Sequence, residues 1–363
     1  MKKTLLALAV LGAFAGVASA QNNVTVYGIV DAGIQYSNDG NPAGKTWSLE
    51  SGQLNSNRIG FRGTEDLGGG LSAIFTLENG YFIDTGTLGQ STPTTQRLFG
   101  RQAWVGLSSN SFGSVKLGRQ QTALYYGLTE IDPFRINLAG NAQRIFGAGQ
   151  YFADPLYRTD NTVNYATPTI AGFTGSLSYA FGEVPGSIST ARSWGAGASY
   201  VNSPLNVQIA YQKSNTAPLV TPLATALGVP STTTAPATAD IRTVLVGGTW
   251  DFRVAKAHLG YANTRFDTLG GGRSTKDDNW LVGATVPITP ADAVLASWIR
   301  NNVKDLPSGK TNQYALGYTH ALSRRTSLYT SAAYAKNDTG VGVLAFGPGK
   351  NYRAVNFGVR TMF

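Results

Sequence analysis

The sequence contains no cysteine, which excludes a disulfide framework, a thiolate zinc site and a cysteine nucleophile. Histidine is nearly absent too. His258 and His320 are the whole supply, leaving little material for imidazole metal centres or general-base chemistry. Charged residues make up 13% of the 363, about half the ~25% usual in soluble chains. Beyond residue 20 no stretch supplies the ~18 apolar residues that a membrane-crossing helix needs. G-x-S-x-G, the phosphate-binding P-loop and the dinucleotide fingerprint are missing as well; GAGASY at Gly195–Tyr200 lacks the third glycine. These absences weigh against a soluble enzyme. What is abundant is glycine, with 44 residues, or about 12% against an ordinary ~7%.

The first twenty residues read as a processing segment. Lys2 and Lys3 form a positive n-region, Leu5 to Ala18 an apolar stretch, and Ala18-Ser19-Ala20 an A-x-A cleavage site. Residues 1–20 are therefore expected to be a signal peptide and residues 21–363 the mature, exported domain. Losing Lys2 and Lys3 leaves 27 basic against 20 acidic residues, so the formal charge falls from +9 to +7. The positives are scattered rather than clustered among base-stacking aromatics, so no nucleic-acid partner is expected.

The mature chain alternates from end to end. Val355, Phe357, Val359, Thr361 and Phe363 share one strand face, with Asn356, Gly358, Arg360 and Met362 on the other. Val24, Val26, Val30, Ala32, Ile34 and Tyr36 oppose Thr25, Tyr27, Asp31, Gly33 and Gln35 in the same way. Sixteen such segments can be placed, near 24–36, 55–64, 71–82, 98–108, 113–119, 159–168, 172–182, 193–202, 205–213, 241–252, 254–266, 278–288, 292–303, 311–322, 326–337 and 352–363. Their length suits tilted strands crossing hydrocarbon, aromatics recur near their ends, and short turns alternate with long connections. One face is too polar for a packed core. The expected fold is all-β, a sixteen-stranded antiparallel transmembrane β-barrel wide enough for an aqueous channel. On strand 55–64, Arg58 and Arg62 oppose Ile59 and Phe61. An apolar face toward lipid puts both arginines, and by the same rule Glu78, Asp31, Lys256 and Arg360, toward water.

Six ordered blocks sharpen this reading. NNVTVYGIVDAGIQY (22–36), SNRIGFRGTEDLGGGLSAIFTLENG (56–80), GRQAWVGLSSNSFGSVKLGRQ (100–120), RTDNTVNYATP (158–168), ALSRRTSLY (321–329) and the terminal NFGVRTMF resemble the Gram-negative trimeric general porins of β-proteobacterial and neisserial outer membranes. The resemblance implies an outer-membrane homotrimer whose protomers each pass ions and small hydrophilic solutes, surrounded by outer-membrane lipid and lipopolysaccharide. It implies that the long segment Gln120–Arg158 folds into the lumen and narrows it. It also implies that Arg58, Arg101 and Arg158 form a basic ladder at the constriction, facing Glu130, Asp132 and Asp154 on that loop, and that Phe363 is an assembly signal. Strict alternation places Arg101 on the face of Val105 and Leu107, so a bulge or an interfacial position is required there.

A basic ladder in a narrow throat favours anions, so a weak to moderate anion preference is expected. No reaction, cofactor or metal is expected. Asp277-Asp278 is a weak candidate for a divalent ion, and both histidines read as polar residues of the lumen or interface. Two rivals remain open: a substrate-specific porin for phosphate or organic anions, and a non-conducting adhesive or enzymatic barrel.

Overall fold

The computed structural model describes residues 23–91, 95–152, 154–219, 224, 238–269 and 274–363. The signal peptide read at residues 1–20 lies outside them, as does most of the Ser214–Asp240 connection.

Seventeen strand segments form one antiparallel sheet whose last member pairs with its first. β1 (Asn23–Asn38) meets β17 (Tyr352–Met362) from Ile29 opposite Met362 to Asn38 opposite Arg353. Closure matters because an open edge would present unpaired backbone groups to lipid. On the other side of β1, two segments share one position. β2 (Thr46–Ser51) pairs with residues 32–37 and β3 (Arg58–Gly68) with residues 23–29. The barrel therefore has sixteen staves, as the alternation predicts, and the second is interrupted at 52–57. The remaining staves follow chain order: β4 (Leu71–Gly80), β5 (Gln102–Ser109), β6 (Gly113–Gln121), β7 (Arg158–Ala166), β8 (Phe173–Ala180), β9 (Ser193–Asn202), β10 (Leu205–Pro218), β11 (Thr238–Asp251), β12 (Lys256–Leu269), β13 (Thr275–Pro287), β14 (Asp292–Val303), β15 (Lys310–Ala321) and β16 (Thr326–Asn337).

The lipid-facing surface is what a soluble chain would hide. Leu259 and Leu316 stay 56% and 59% exposed, and alternate with Gly260 and Ala315, which are buried on the lumen side. Aromatic pairs sit near both strand ends, among them Trp194–Tyr211 and Tyr261–Trp280 toward the long loops and Phe173–Tyr200 by a short turn.

The connection between β6 and β7 lies inside the barrel. Among the described residues it carries one α-helix, α1 (Ala123–Ile131), started by Thr122, whose hydroxyl accepts the Tyr125 N–H at 3.1 Å. Leu124, Leu128 and Ile131 of α1, with Ile145 and Phe146 beyond it, pack on Leu245, Ala262, Phe266, Leu281 and Ile299 of the barrel wall. The lumen face of β11–β14 is therefore apolar where the loop rests and packs as a core there, although the sequence reads the inner face as too polar for a packed core.

Candidate pore constriction

The wall opposite the loop's bed carries the charge. Arg58 opens β3, Arg101 lies just before β5, and Arg158 opens β7; Glu78 on β4 stands among them. Glu78 Oε1 accepts from Arg101 Nε at 2.7 Å, and its Oε2 lies 3.9 Å from Arg58 Nη1 and accepts the Tyr27 hydroxyl at 2.9 Å. Arg158 donates its Nε–H to the Arg101 carbonyl at 2.9 Å and stacks 3.9 Å from the Tyr157 ring. Tyr125 of α1 meets Tyr157 edge-on at 4.7 Å, joining the loop to this wall. Arg101 Nη1 and Arg158 Nη2 are buried without a hydrogen-bond partner. Two guanidinium groups thus share one carboxylate and a third lies beside them, and their field acts toward a lumen bounded by low-dielectric walls.

Arg101 turns to the inner side of the wall, where its side chain is buried against Glu78, because β5 begins only at Gln102. The expected strand 98–108 is shorter than predicted, and a turn ahead of it frees Arg101 from the outward face of Val105 and Leu107.

Other candidates stand apart. Arg62 faces the lumen four residues nearer the short-turn end, exposed, with its guanidinium 5.3 Å from the Tyr27 ring. Glu130 pairs with Arg135 at 2.9 Å, on the far wall beside Asn206. Asp154 binds Arg119 at 2.8 Å and lies 3.9 Å from Arg97, in a four-membered ion network completed by Asp160. Asp132 departs furthest from the expected pore-facing position. It is fully buried in the loop, accepting the N–H groups of Phe134, Ile136 and Ala142 at 3.0 Å each. Burial pushes its pKa up to about 6 against the opposing pull of those bonds. Asp132 holds the loop's shape rather than lining its surface.

The loop is tied down along its length. His258 Nδ1 meets the Ile131 carbonyl at 3.1 Å, the Leu138 N–H donates to the Gln53 carbonyl at 2.6 Å, and the Ala139 N–H donates to Ser331 Oγ at 3.1 Å. Gln53 belongs to the interrupted stretch 52–57, which Asp31 holds inward by accepting the Asn55 N–H at 2.6 Å and the Tyr329 hydroxyl at 2.6 Å. Asp277 and Asp278 point to opposite sides of β13. Asp277 is buried against Asn279 and Asn301, while Asp278 faces outward against Lys304, so the two cannot share an ion. His320 lies by a short turn, 2.7 Å from Asp292.

Glu78 is the site residue that sequence reasoning did not single out: alternation put it inward, but its pairing with arginines from two other strands is a tertiary fact. The bed of the loop had a clearer signal. Runs such as Val244-Leu245-Val246 and Trp280-Leu281-Val282 are apolar on both faces, the mark of a strand covered on both sides.

A family model described as Gram-negative porin matches residues 7–340. An outer membrane porin protein of Bordetella pertussis is 35% identical and outer membrane porin protein 32 of Delftia acidovorans 34% identical, each over the full length of both chains. Among solved structures, an anion-selective porin from Comamonas acidovorans shares 31% identity at a TM-score of 0.78, covering 94% of this chain and all of its own. With sixteen closed staves, a loop in the lumen and relatives matched end to end, the chain belongs to the Gram-negative porins, the channels of the outer membrane.

Proposed function

We propose that the protein passes small hydrophilic solutes and ions passively, with an anion preference set by Arg58, Arg101 and Arg158. The observation that carries this is the imbalance of charge on that wall: Arg58 and Arg101 share the single carboxylate of Glu78, and Arg158, held by the Arg101 carbonyl, adds a third cation with no carboxylate of its own beside it. The Comamonas acidovorans relative, 31% identical, is an anion-selective porin, which agrees with that sign of field. Arg62 acts as an outlying cation on the path to the short-turn mouth, while Glu130 and Asp154 are largely answered by Arg135, Arg97 and Arg119. The resemblance adds a homotrimer with one pore per protomer, set in outer-membrane lipid and lipopolysaccharide. The N-terminal sequence adds export through residues 1–20 with cleavage after Ala20, and the resemblance adds assembly aided by Phe363.

A saturable anion site is the second reading, favoured by the unpartnered Arg101 Nη1 and Arg158 Nη2. Planar-bilayer recording under a potassium chloride gradient tests both. Conductance steps in threes with a reversal potential favouring chloride support the general pore. Block of chloride current by millimolar phosphate or an organic anion supports the saturable site, and a folded protein that passes no current refutes both.

A further inference from the structure

Five of the six tryptophans face outward. Trp47, Trp194, Trp250 and Trp280 are exposed there, and Trp298 stands opposite the exposed Val282. That is where an amphipathic indole is at home in a membrane protein. Trp104 is the exception. Val105 beside it is exposed to lipid, so alternation turns Trp104 into the lumen. Gln102 Oε1 accepts its Nε1–H at 3.0 Å, and Lys116 of β6 sets its ammonium 4.6 Å from the ring. A second pair lies on the same wall, where the Arg62 guanidinium is 5.3 Å from the Tyr27 ring. The register joins the two pairs, with Arg62 opposite Thr76 and Thr76 opposite Trp104. Two strand spacings, about 10 Å, separate the backbones of Arg62 and Trp104, and Thr76 between them is small and buried. Arg62 is four residues past Arg58, about 13 Å along the strand toward the short turns, so this pair of pairs is separate from the constriction.

The charges here differ from those above. Nearer the constriction, Glu78 answers Arg58 and Arg101, while Asp154 and Asp160 answer Arg97 and Arg119. Among the described residues the charged ends of Arg62 and Lys116 form neither an ion pair nor a hydrogen bond, and each lies against a ring instead. A cation over an aromatic face is fixed in place yet keeps its N–H donors for another partner. A bare anion such as chloride can use only the charges. A carboxylate carried on a flat ring can use the charges and the indole together, and covering the indole takes apolar surface out of lumen water.

We propose that Arg62, Trp104 and Lys116 form a subsite for aromatic carboxylates on the short-turn side of the constriction. The ligand's ring lies on the Trp104 indole, its carboxylate is held by Arg62 across Thr76, and Lys116 adds the second charge. This deepens the pore reading, on which it rests for access to the lumen, by naming a class of solute. It also accounts for a tryptophan and two unanswered cations meeting on a wetted wall.

The test uses the full-length protein, purified from outer membranes and reconstituted in planar bilayers in potassium chloride. Half-blocking concentrations for the chloride current are measured with benzoate and with acetate, which share the carboxylate and differ by the ring. Benzoate should block at a concentration at least about tenfold lower than acetate. Trp104→Leu should bring the two within about twofold of each other, whereas Trp250→Leu on the lipid face should keep them apart. Arg62→Gln with Lys116→Gln should weaken block by both anions at least about threefold. A second measurement needs no current. Titration with 4-nitrobenzoate, which quenches indole fluorescence, should show in detergent a saturable component that Trp250→Phe keeps and Trp104→Phe loses. Equal block by the two acids, a difference that survives Trp104→Leu, or unsaturable quenching that is alike in both phenylalanine variants overturns the subsite. Chloride-selective current without a benzoate preference removes the subsite and leaves the pore reading standing. Saturable quenching at Trp104 in a protein that passes no current does the reverse.

Discussion

Three guanidinium groups on one pore wall repel each other, and Glu78, bonded to Arg101 and close to Arg58, moderates that repulsion. Removing a cation and removing the anion should therefore shift selectivity in opposite directions. A unit charge ~8 Å from a permeating ion in water changes its energy by about 0.5 kcal/mol, roughly twofold in a permeability ratio and more in a focused field. Arg58→Ala should lower the chloride-to-potassium ratio by at least about that factor, and an unmoved reversal potential would remove Arg58 from the filter. Glu78→Gln should raise the ratio. It should also lower stability, since Arg101 then lies buried without its charged partner. Asp132 supplies a pH prediction outside the filter. Folding raises its pKa to about 6, so the folded loop takes up a proton between pH 6 and the ordinary 3.8. This group therefore makes the fold more stable as pH falls through that window and less stable above it. Relative to Asp132→Asn, the unmodified protein should gain up to about 3 kcal/mol between pH 7 and pH 3.5, at ~1.36 kcal/mol per pH unit. A difference that stays flat in urea unfolding at those two pH values would show an ordinary carboxyl.

The lumen loop makes sense as an element only together with its bed. Its apolar side needs a wall that is apolar on the inside, and Leu245, Leu281 and Ile299 provide one. Close approach also needs missing side chains. A Cβ at Gly283 would come within 2.6 Å of Pro133 Cγ, and one at Gly317 within 2.8 Å of Phe134 Cε1. Gly283→Val should therefore push the loop away from β13 and into the lumen, lowering single-channel conductance. Unchanged conductance would mean the loop does not set the throat. The staves themselves were legible because each shows a two-residue period against lipid, and Arg58 and Arg62 were legible with them. Arg101 was not legible from alternation, since the turn before β5 breaks the period that placed it outward. Asp132 was misplaced for a related reason: a loop has no period, and its three N–H partners are set by how the chain folds back. β2 escaped notice because TWSLES is six residues long and shares a stave with β3.

Closure is the property of the whole molecule on which everything else depends, and it is completed by the last residue. Phe363 donates its N–H to the Gly28 carbonyl and accepts the Gly28 N–H, both at 3.1 Å, extending the β1–β17 seam past Met362. Its ring remains 53% exposed at the short-turn rim, where an amphipathic surface meets the interface. Backbone and ring can be separated by experiment. Phe363→Ala keeps both seam hydrogen bonds and loses only the ring, whereas deletion of Phe363 loses both bonds, each worth about 0.5–1.5 kcal/mol net. If the seam is what Phe363 supplies, deletion should slow barrel folding into lipid vesicles and lower the yield of heat-resistant protein, with Phe363→Ala close to unmodified. If the ring is instead read by the assembly machinery, the two variants should fold alike in vesicles and both should be depleted from outer membranes in cells. Because the seam joins residue 28 to residue 363, it can form only when every intervening stave is in place. A defect confined to it should therefore appear as a late kinetic phase, with strand content formed before heat resistance, rather than as loss of the sheet.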